Sequence, residues 1–450
     1  MAASTSVLSG ETPAQTPIQS GTSAETATKF SGPGNDFPAL QQSTPLDPVA
    51  ATQGWLDSVP QDKRAKSDAY FEGGYWLILW DYVVAATISV LMLSSRISAR
   101  LRDFSERLTR YKTLRVACFS IAYLLLVYVL SFPLNIYENF VREHQYGLAT
   151  QTFPAWFQEQ LIGLGITLIG GTIFFSVLYA VFRRAPKTWW IWGTSVAVVF
   201  SFVLLFIAPV FIEPLFNTYK PLTKPEISEP ILVMAQANQI PVKQVFEVDA
   251  SRQTTRVSAN VSGILGTTRI ALNDNLLKQC TVPEIRAVMA HEMGHYVLNH
   301  GAKLLTYLGI SILIGFALTR ILFNAAVRHW GDKWGVRGIA DPAGLPLLAL
   351  IFSTLLFLAT PLLNTAMRVT EREADAFGIN TAREPDGMAE VALKLGAYRK
   401  LNPAPLEEFI FYDHPCGRAR IRMAMDWKAA NLSAGESPKS DSQNPKQTGE

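Results

Sequence analysis

The sequence predicts a mainly α-helical, multi-pass membrane protein that carries a zinc site and a small β-hairpin sheet. Three observations lead to this fold class: six long apolar segments, one His-Glu-x-x-His sequence, and short strand-like runs just ahead of it. The composition agrees, because 49% of the residues are hydrophobic and only 17% are charged. Soluble domains average about 25% charged residues, so much of this surface is expected to face a medium less polar than water.

The six apolar segments each have the length that crosses a bilayer as a helix, about 17–25 residues. They lie near 73–95, 116–134, 161–182, 189–212, 304–327 and 345–363. Four of them make up a predicted N-terminal membrane domain of residues 61–215, and two interrupt a second domain of residues 216–430 at about 304–363. The polar ends, 1–60 and 431–450, are predicted to be disordered tails.

The stretch between the fourth and fifth segments is soluble in character. Its patterns predict a helix at 227–238 and strands at 244–249, 256–262 and 268–273. The last two strands are joined by Gly-Ile-Leu-Gly-Thr, which favours a hairpin. A longer helix follows, in which Thr281 and Glu284 have the spacing of a capping box, Pro283 suits the first turn and Gly301 is expected to mark the end.

The run His-Glu-Met-Gly-His on that helix predicts a zinc site. His291 and His295 are four residues apart, so both imidazoles project from one helical face and can bind one metal ion. Glu292 lies about 100° around the helix, close enough to accept a proton from water without ligating the metal. Two imidazoles, an open position and a carboxylate base are what a hydrolytic zinc site requires. The alternative is a chance match, expected in roughly three chains per thousand of this composition.

A catalytic zinc site needs a third protein ligand. One known pattern places this ligand, a histidine, ten residues after the first, but that position here is Gly301. His300 is interpreted as a helix-end residue. The remaining common ligand is a carboxylate from a later helix, and the run Thr-Glu-Arg-Glu-Ala-Asp holds the candidates. Glu371 and Asp375 share one helical face, so Glu371 can ligate while Asp375 braces a ligand or approaches substrate. The alternative for this pair is a solvated, charged helix end.

A weaker signal comes from Asp-His-Pro-Cys-Gly-Arg-Ala-Arg, residues 413–420, because a loop histidine and a nearby helical arginine are common. The functional interpretation makes His414 a donor to the oxyanion of a tetrahedral intermediate. Arg420 would hold the substrate or a carboxylate in place.

A substrate peptide is predicted to bind as an added strand along the sheet edge near 257–262. Ser258, Ala259 and Asn260 would then supply backbone hydrogen bonds. The alternative is that this hairpin is only structural, with its edge covered by its own loops.

Six runs in this order resemble one known family. They are FPLNIYENFVREHQYGLATQT, IAPVFIEPLFNTYKPL, SANVSGILGTTRIALNDNLL, AVMAHEMGHYVLNH, MRVTEREADAFG and HPCGRARI. Together they are similar to the integral-membrane zinc metallopeptidases of the CAAX prenyl protease type I family, over roughly residues 65–427. That resemblance implies a gluzincin-type peptidase domain whose zinc site lies in a chamber walled by membrane helices.

The resemblance also implies roles for individual residues. The cofactor would be one Zn²⁺ per chain, and its ligands would be His291, His295 and Glu371. Glu292 would be the general base, Asp375 would have a proton-donor role, and His414 with Arg420 would contact substrate.

The implied activity is peptide-bond hydrolysis that removes the C-terminal residues after a prenylated Cys. Two alternatives stay open: a membrane quality-control metalloprotease without prenyl specificity, and a non-catalytic membrane scaffold or transporter with a structural metal. The intact Glu292 argues against the last, because a closed structural site has no use for a base. The expected partners are a peptide or protein substrate, prenylated or not, and the lipid bilayer. Nucleic acid is not an expected partner, because the sequence has no long basic run interleaved with aromatic residues.

The predicted location is a bacterial plasma membrane or an endoplasmic reticulum membrane. Loops 96–115, 183–187 and 328–337 are rich in Lys and Arg and lie on one side of a six-span protein. The positive-inside rule would therefore place the histidine-bearing portion away from the cytoplasm. In the family that the chain resembles, the catalytic side is usually cytosolic, so the orientation stays open.

Overall fold

The structure, a computed structural model, describes residues 46–263 and 268–431. In this part of the chain, six helices are long and apolar enough to cross a membrane. They span Gln61–Ser94, Lys112–Tyr146, Phe153–Arg184, Trp189–Leu215, His300–Trp334 and Pro342–Ala382. The prediction of about six spans is confirmed. Most of these helices are longer than the apolar segment that predicted them, because backbone hydrogen bonding continues past the thickness of the hydrocarbon.

The helices that precede the sheet form most of the membrane bundle. They are α1 (Pro48–Asp57), α2 (Gln61–Ser94), α3 (Ile97–Leu108), α4 (Lys112–Ile136), α5 (Arg142–Tyr146), α6 (Phe153–Arg184) and α7 (Trp189–Ile207). A π-helical turn, Tyr137–Val141, joins α4 to α5. Phe119 of α4, Tyr179 of α6 and Trp189 of α7 are fully buried in one cluster, so these helices contact one another through large side chains.

The second part of the chain combines helices with four short strands. Its helices are α8 (Pro225–Ala237), α9 (Asp274–Gln279), α10 (Val282–Val297), α11 (His300–Trp334), α12 (Leu345–Ala382), α13 (Pro385–Leu395), α14 (Pro405–Phe411) and α15 (Gly417–Asn431). Its strands are β1 (Tyr219–Pro221), β2 (Val245–Val248), β3 (Ala259–Ser262) and β4 (Arg269–Asn273).

The strands form one mixed sheet in the order β1-β2-β4-β3, which places β3 at an edge. β3 and β4 are antiparallel, as the sequence predicted, whereas β2 and β4 are parallel. The joining residues 264–267 lie outside the described residues. Strand β1 was not predicted, because it has only three residues and ends in Pro221, which weakens any strand pattern.

The sheet packs on α8 and α10 through a shared apolar core. Ile231 of α8, Ile270 of β4 and Met289 of α10 are all fully buried in this core. Burying each such side chain stabilises the fold by about 1.5–3 kcal/mol. The core therefore fixes the edge strand β3 beside the helix that carries the His-Glu-x-x-His sequence.

Helices α10 and α12 approach each other closely because each has a glycine at the contact. A Cβ on Gly294 would lie 3.2 Å from the Cα of Ala374. A Cβ on Gly378 would lie 3.0 Å from the backbone nitrogen of His291. Larger residues at either position would separate the two helices, and the two glycines therefore set the distance between His291 and Glu371.

Part of the predicted N-terminal tail, 1–60, is helical in the structure. Asp47 caps α1 by accepting a hydrogen bond from the Val49 N–H at 2.8 Å. Leu56 is buried, and the apolar face of α1 packs on α15 near Ile421. The sequence did not predict α1, because the Ser/Thr/Ala/Pro-rich composition of the whole tail outweighs the pattern of this one short helix. Residues 1–45 and 432–450 lie outside the described residues.

Candidate metal centre and active site

Two histidines of α10 and one glutamate of α12 meet at a common point. The Nε2 atoms of His291 and His295 are 3.2 Å apart, and they lie 3.3 Å and 3.5 Å from the nearer oxygens of Glu371. Two ligands held about 2.0–2.1 Å from a tetrahedral zinc ion are separated by about 3.3 Å. The three donor atoms therefore fit a zinc ion, and both their number and their chemistry match a catalytic site with an open position.

Asp375 orients the His291 imidazole by binding Nδ1, the ring nitrogen that faces away from the candidate metal position. Its Oδ1 accepts a hydrogen bond from Nδ1 of His291 at 2.9 Å and is also bound by Nη2 of Arg420 at 2.6 Å. Asp375 is only 1% exposed, so this carboxylate is held by the imidazole and the guanidinium rather than by water. With Nδ1 donating to Asp375, Nε2 of His291 presents its lone pair to the metal position. Of the two roles that the sequence left open, the contacts favour bracing a ligand; the proton-donor role stays a prediction.

His300 orients the His295 imidazole as Asp375 orients that of His291. Sequence analysis did not predict this role for His300. Nδ1 of His295 lies 2.9 Å from Nδ1 of His300, whose Nε2 lies 3.0 Å from Glu373. Lys303 binds the same Glu373 oxygen at 2.7 Å. If each ring nitrogen donates outward, the chain of hydrogen bonds leaves Nε2 of His295 free to ligate.

The prediction that α10 continues to Gly301 is wrong. The helix ends at Val297, Asn299 has the left-handed φ of 54°, and His300 is the first residue of α11. Asparagine tolerates this conformation better than most residues. The break turns the chain so that His300, 1% exposed, points back at His295 instead of extending the first helix.

Replacing His300 by Ala is expected to weaken zinc binding by about 10- to 100-fold, because His295 loses the partner that fixes its tautomer and ring orientation. Titration of the metal-free protein with zinc in a competing chelator measures the change. His329→Ala is the matched control, because His329 is an exposed histidine of the same helix. An unchanged affinity in the His300→Ala protein would show that the contact is incidental.

Glu292 lines the same cavity as His291, and no described side chain donates a hydrogen bond to it. Burial raises the pKa of Glu292 to about 7. Burial, reinforced by His291, lowers the pKa of His295 to about 4, so this imidazole is neutral as a ligand must be. Burial also lowers the pKa of His291, but its hydrogen bonds to Asp375 and Glu371 outweigh that effect and raise the pKa to about 9. A metal ion at Nε2 would replace the proton that this atom shares with Glu371, because a ligating imidazole is neutral.

His414 reaches the site from the loop before α15. Its Nε2 lies 3.4 Å from Oε2 of Glu371, and its Nδ1 is 2.7 Å from Oδ1 of Asp413. Because Nδ1 faces Asp413, Nε2 is the ring nitrogen of His414 that faces the candidate metal ligands. The sequence cluster of His414 and Arg420 is thus brought to the predicted centre, with Arg420 behind Asp375.

The predicted substrate strand lies beside the centre. Ser258 and Ala259 line a cavity of about 340 Å³ together with His291 and Glu292, whereas Asn260 is not among the lining residues. The segment before β3 is fixed by two buried asparagines that sequence analysis did not single out. The side chains of Asn273 and Asn275 donate hydrogen bonds to the carbonyl of Arg256 at 2.8 Å and 3.1 Å.

The fold and this site together define an integral-membrane metallopeptidase. Residues 221–428 match the profile of peptidase family M48, and residues 49–218 match the CAAX prenyl protease N-terminal region, described as five membrane helices. The chain is 32% identical to an uncharacterized metalloprotease, YhfN, of Bacillus subtilis over 74% of this chain and 79% of that protein. It is 27% identical to a CAAX prenyl protease 1 homolog of Arabidopsis thaliana, over 85% and 92% of the two chains.

The chain belongs to peptidase family M48. It is a multi-pass membrane zinc metallopeptidase of the CAAX prenyl protease 1 type. It is also similar to the CAAX prenyl protease 1 of Saccharomyces cerevisiae, at 28% identity over 66% of this chain and 68% of that one. The crystal structure of S. mikatae Ste24p has the same fold, with a TM-score of 0.69 at 20% identity, covering 84% and 94% of the two chains.

Proposed function

We propose that the chain is a zinc endopeptidase that removes the C-terminal residues following a prenylated Cys. One Zn²⁺ per chain would be held by His291, His295 and Glu371. The observation that carries the proposal is the position of Glu292: a carboxylate without a described hydrogen-bond partner lines the cavity beside a complete set of three ligands. A structural metal site would leave such a group without a role.

The reaction needs few groups beyond these. The chemistry that zinc supplies when bound is Lewis acidity toward water and the scissile carbonyl. Glu292 accepts a proton from the attacking water and returns it to the leaving amine. His414, held by Asp413, donates a hydrogen bond from Nε2 to the developing oxyanion. Asp375 and Arg420 keep the His291 imidazole in place and do not touch the reacting atoms in this account.

The substrate would lie extended along β3, whose outer edge is unpaired in the described sheet. Ser258 and Ala259 would bind its backbone, with Asn260 continuing the ladder. Aliphatic side chains of α12 and α13 also line the active-site cavity: Ile379, Ala382, Met388, Val391 and Leu395. That apolar wall suits the aliphatic residues that follow the Cys in such substrates.

The proposal is tested with two peptides that differ only in a farnesyl group on the Cys, followed by two aliphatic residues and a terminal Ser. The purified, zinc-loaded full chain in lipid nanodiscs is expected to release the tripeptide from the farnesylated peptide at least about tenfold faster, the discrimination typical of a filled apolar pocket. Mass spectrometry identifies the bond cut. Equal rates would instead favour a quality-control protease, and cleavage of neither peptide would contradict the proposal.

A further inference from the structure

The active-site cavity has three arginines among its lining residues, and within the described part of the chain only one of them has no carboxylate at ion-pair distance. Arg420 is paired with Asp375, and Arg256 is paired with Glu143 at 2.7 Å. Arg399 forms no ion pair with any carboxylate in residues 46–263 and 268–431. The carboxylate on which Arg399 acts electrostatically is Asp413, which lines a second cavity with Arg399 and is hydrogen-bonded to His414. A guanidinium that lines an active site without a carboxylate in contact can bind an anion on the ligand.

Arg399 sits between two cavities. The first is lined by His291 and Glu292, and the second, of about 590 Å³, includes residues of α2, α12 and the loop before α15 in its lining. Arg256, Tyr398 and Arg399 line both. The Arg256 guanidinium stands over the Tyr398 ring, 5.3 Å from its centroid, so two positive charges flank the same tyrosine where the cavities meet.

The backbone that carries Arg399 is anchored, so its side chain is presented from a fixed point. The hydroxyl of Ser67 on α2 donates hydrogen bonds to the carbonyls of Gly396 and Arg399, the second at 3.0 Å. The neighbouring Lys400 is neutralised by Glu72 at 2.6 Å and by Glu407 at 3.0 Å. Asp413, which lines the second cavity, binds His414. Glu72, Glu407 and Asp413 are thus each in contact with a group other than Arg399.

The direction of the edge strand β3 determines which end of a bound peptide lies near Arg256 and Arg399. A peptide that pairs with β3 in the antiparallel sense, the more stable arrangement, runs from Ser262 toward Ala259. Its C-terminal end then leaves the strand at Ser258 and continues toward Arg256. That is the end of the cavity where Arg399 and Tyr398 lie.

We infer that Arg399, supported by Arg256, binds the free C-terminal carboxylate of the substrate. The inference rests on the proposed function and makes it more specific: the preferred substrates are peptides whose chain ends a few residues after the cleaved bond. A guanidinium can hold a carboxylate with two parallel hydrogen bonds, which gives direction as well as affinity. Cleavage near the end of a chain is then preferred over cleavage within a long polypeptide.

The test compares two peptides of one sequence, one ending in a free carboxylate and one in a carboxamide. Their binding is measured by fluorescence on the full-length, zinc-loaded Glu292→Gln protein, so that no cleavage is needed. The free acid is expected to bind about 10- to 100-fold more tightly, the range of a hydrogen-bonded charge. In the same background Arg399→Gln is expected to remove the difference by weakening only the free acid, and Arg399→Lys to restore part of it.

Arg418→Gln is the matched control, because Arg418 is exposed on α15 and lines neither cavity. Its acid-to-amide ratio should equal that of the parent protein. Equal binding of the two peptides, or an equal loss for both in Arg399→Gln, would overturn the carboxylate site. Neither result would touch the proposed peptidase activity, which is decided separately by whether the wild-type protein cleaves any peptide.

Discussion

The Glu292→Gln protein is expected to retain its zinc and to lose peptide cleavage, with kcat/KM lower by about 10²- to 10⁴-fold, the contribution of a general base. The amide has the size of the carboxylate but cannot accept the proton of the attacking water. Zinc is retained because the three donor atoms at the centre belong to other residues. Metal content by mass spectrometry and initial cleavage rates are measured on the same preparation.

The control for this substitution is Glu229→Gln, since Glu229 is an exposed glutamate on α8. Its activity and zinc content should match the wild-type values. Substantial cleavage by the Glu292→Gln protein would mean that another group takes the proton, and the mechanism would have to be abandoned.

Replacing Glu371 by Ala is expected to remove both zinc and activity. This change takes away one of the three proposed ligand groups, so zinc affinity should fall by more than the roughly 10- to 100-fold that loss of an outer partner costs. The variant should therefore bind zinc more weakly than His300→Ala does. Because Glu371 is buried beside both histidines, its removal also takes a carboxylate away from each imidazole, and only His291 keeps another one in contact, Asp375.

Arg372→Ala provides the comparison, because Arg372 is the exposed neighbour of Glu371 on α12. Zinc titration and a thermal unfolding scan of both proteins separate loss of the ligand from loss of the fold. A Glu371→Ala protein that still holds a full equivalent of zinc would require a different third ligand.

Much of the fold followed from patterns that lie within single segments. The spans could be predicted because apolar length alone decides whether a helix can cross a bilayer. The pairing of His291 with His295 followed from helical periodicity, and the shared face of Glu371 and Asp375 followed in the same way. What periodicity could not give is the contact between the two helices, which depends on the glycines at 294 and 378.

The contacts missed by sequence analysis are those between segments far apart in the chain. His300 looked like a helix-end residue because its partner Glu373 lies on another helix and the break at Asn299 has only a weak local signal. The asparagines that hold the start of the edge strand act through side-chain bonds to a distant backbone carbonyl. Arg399 carried no motif at all, and its position beside the cavity depends on how the loop after α13 packs on α2.

The central claim, that one zinc ion held by His291, His295 and Glu371 is required for peptide hydrolysis, is tested most directly by removing and restoring the metal. Cleavage of a farnesylated peptide is measured on the purified chain before chelation, after zinc removal, and during titration with zinc. We expect activity to disappear with the metal and to return fully at one zinc per chain. Undiminished cleavage by the zinc-free protein would contradict the claim.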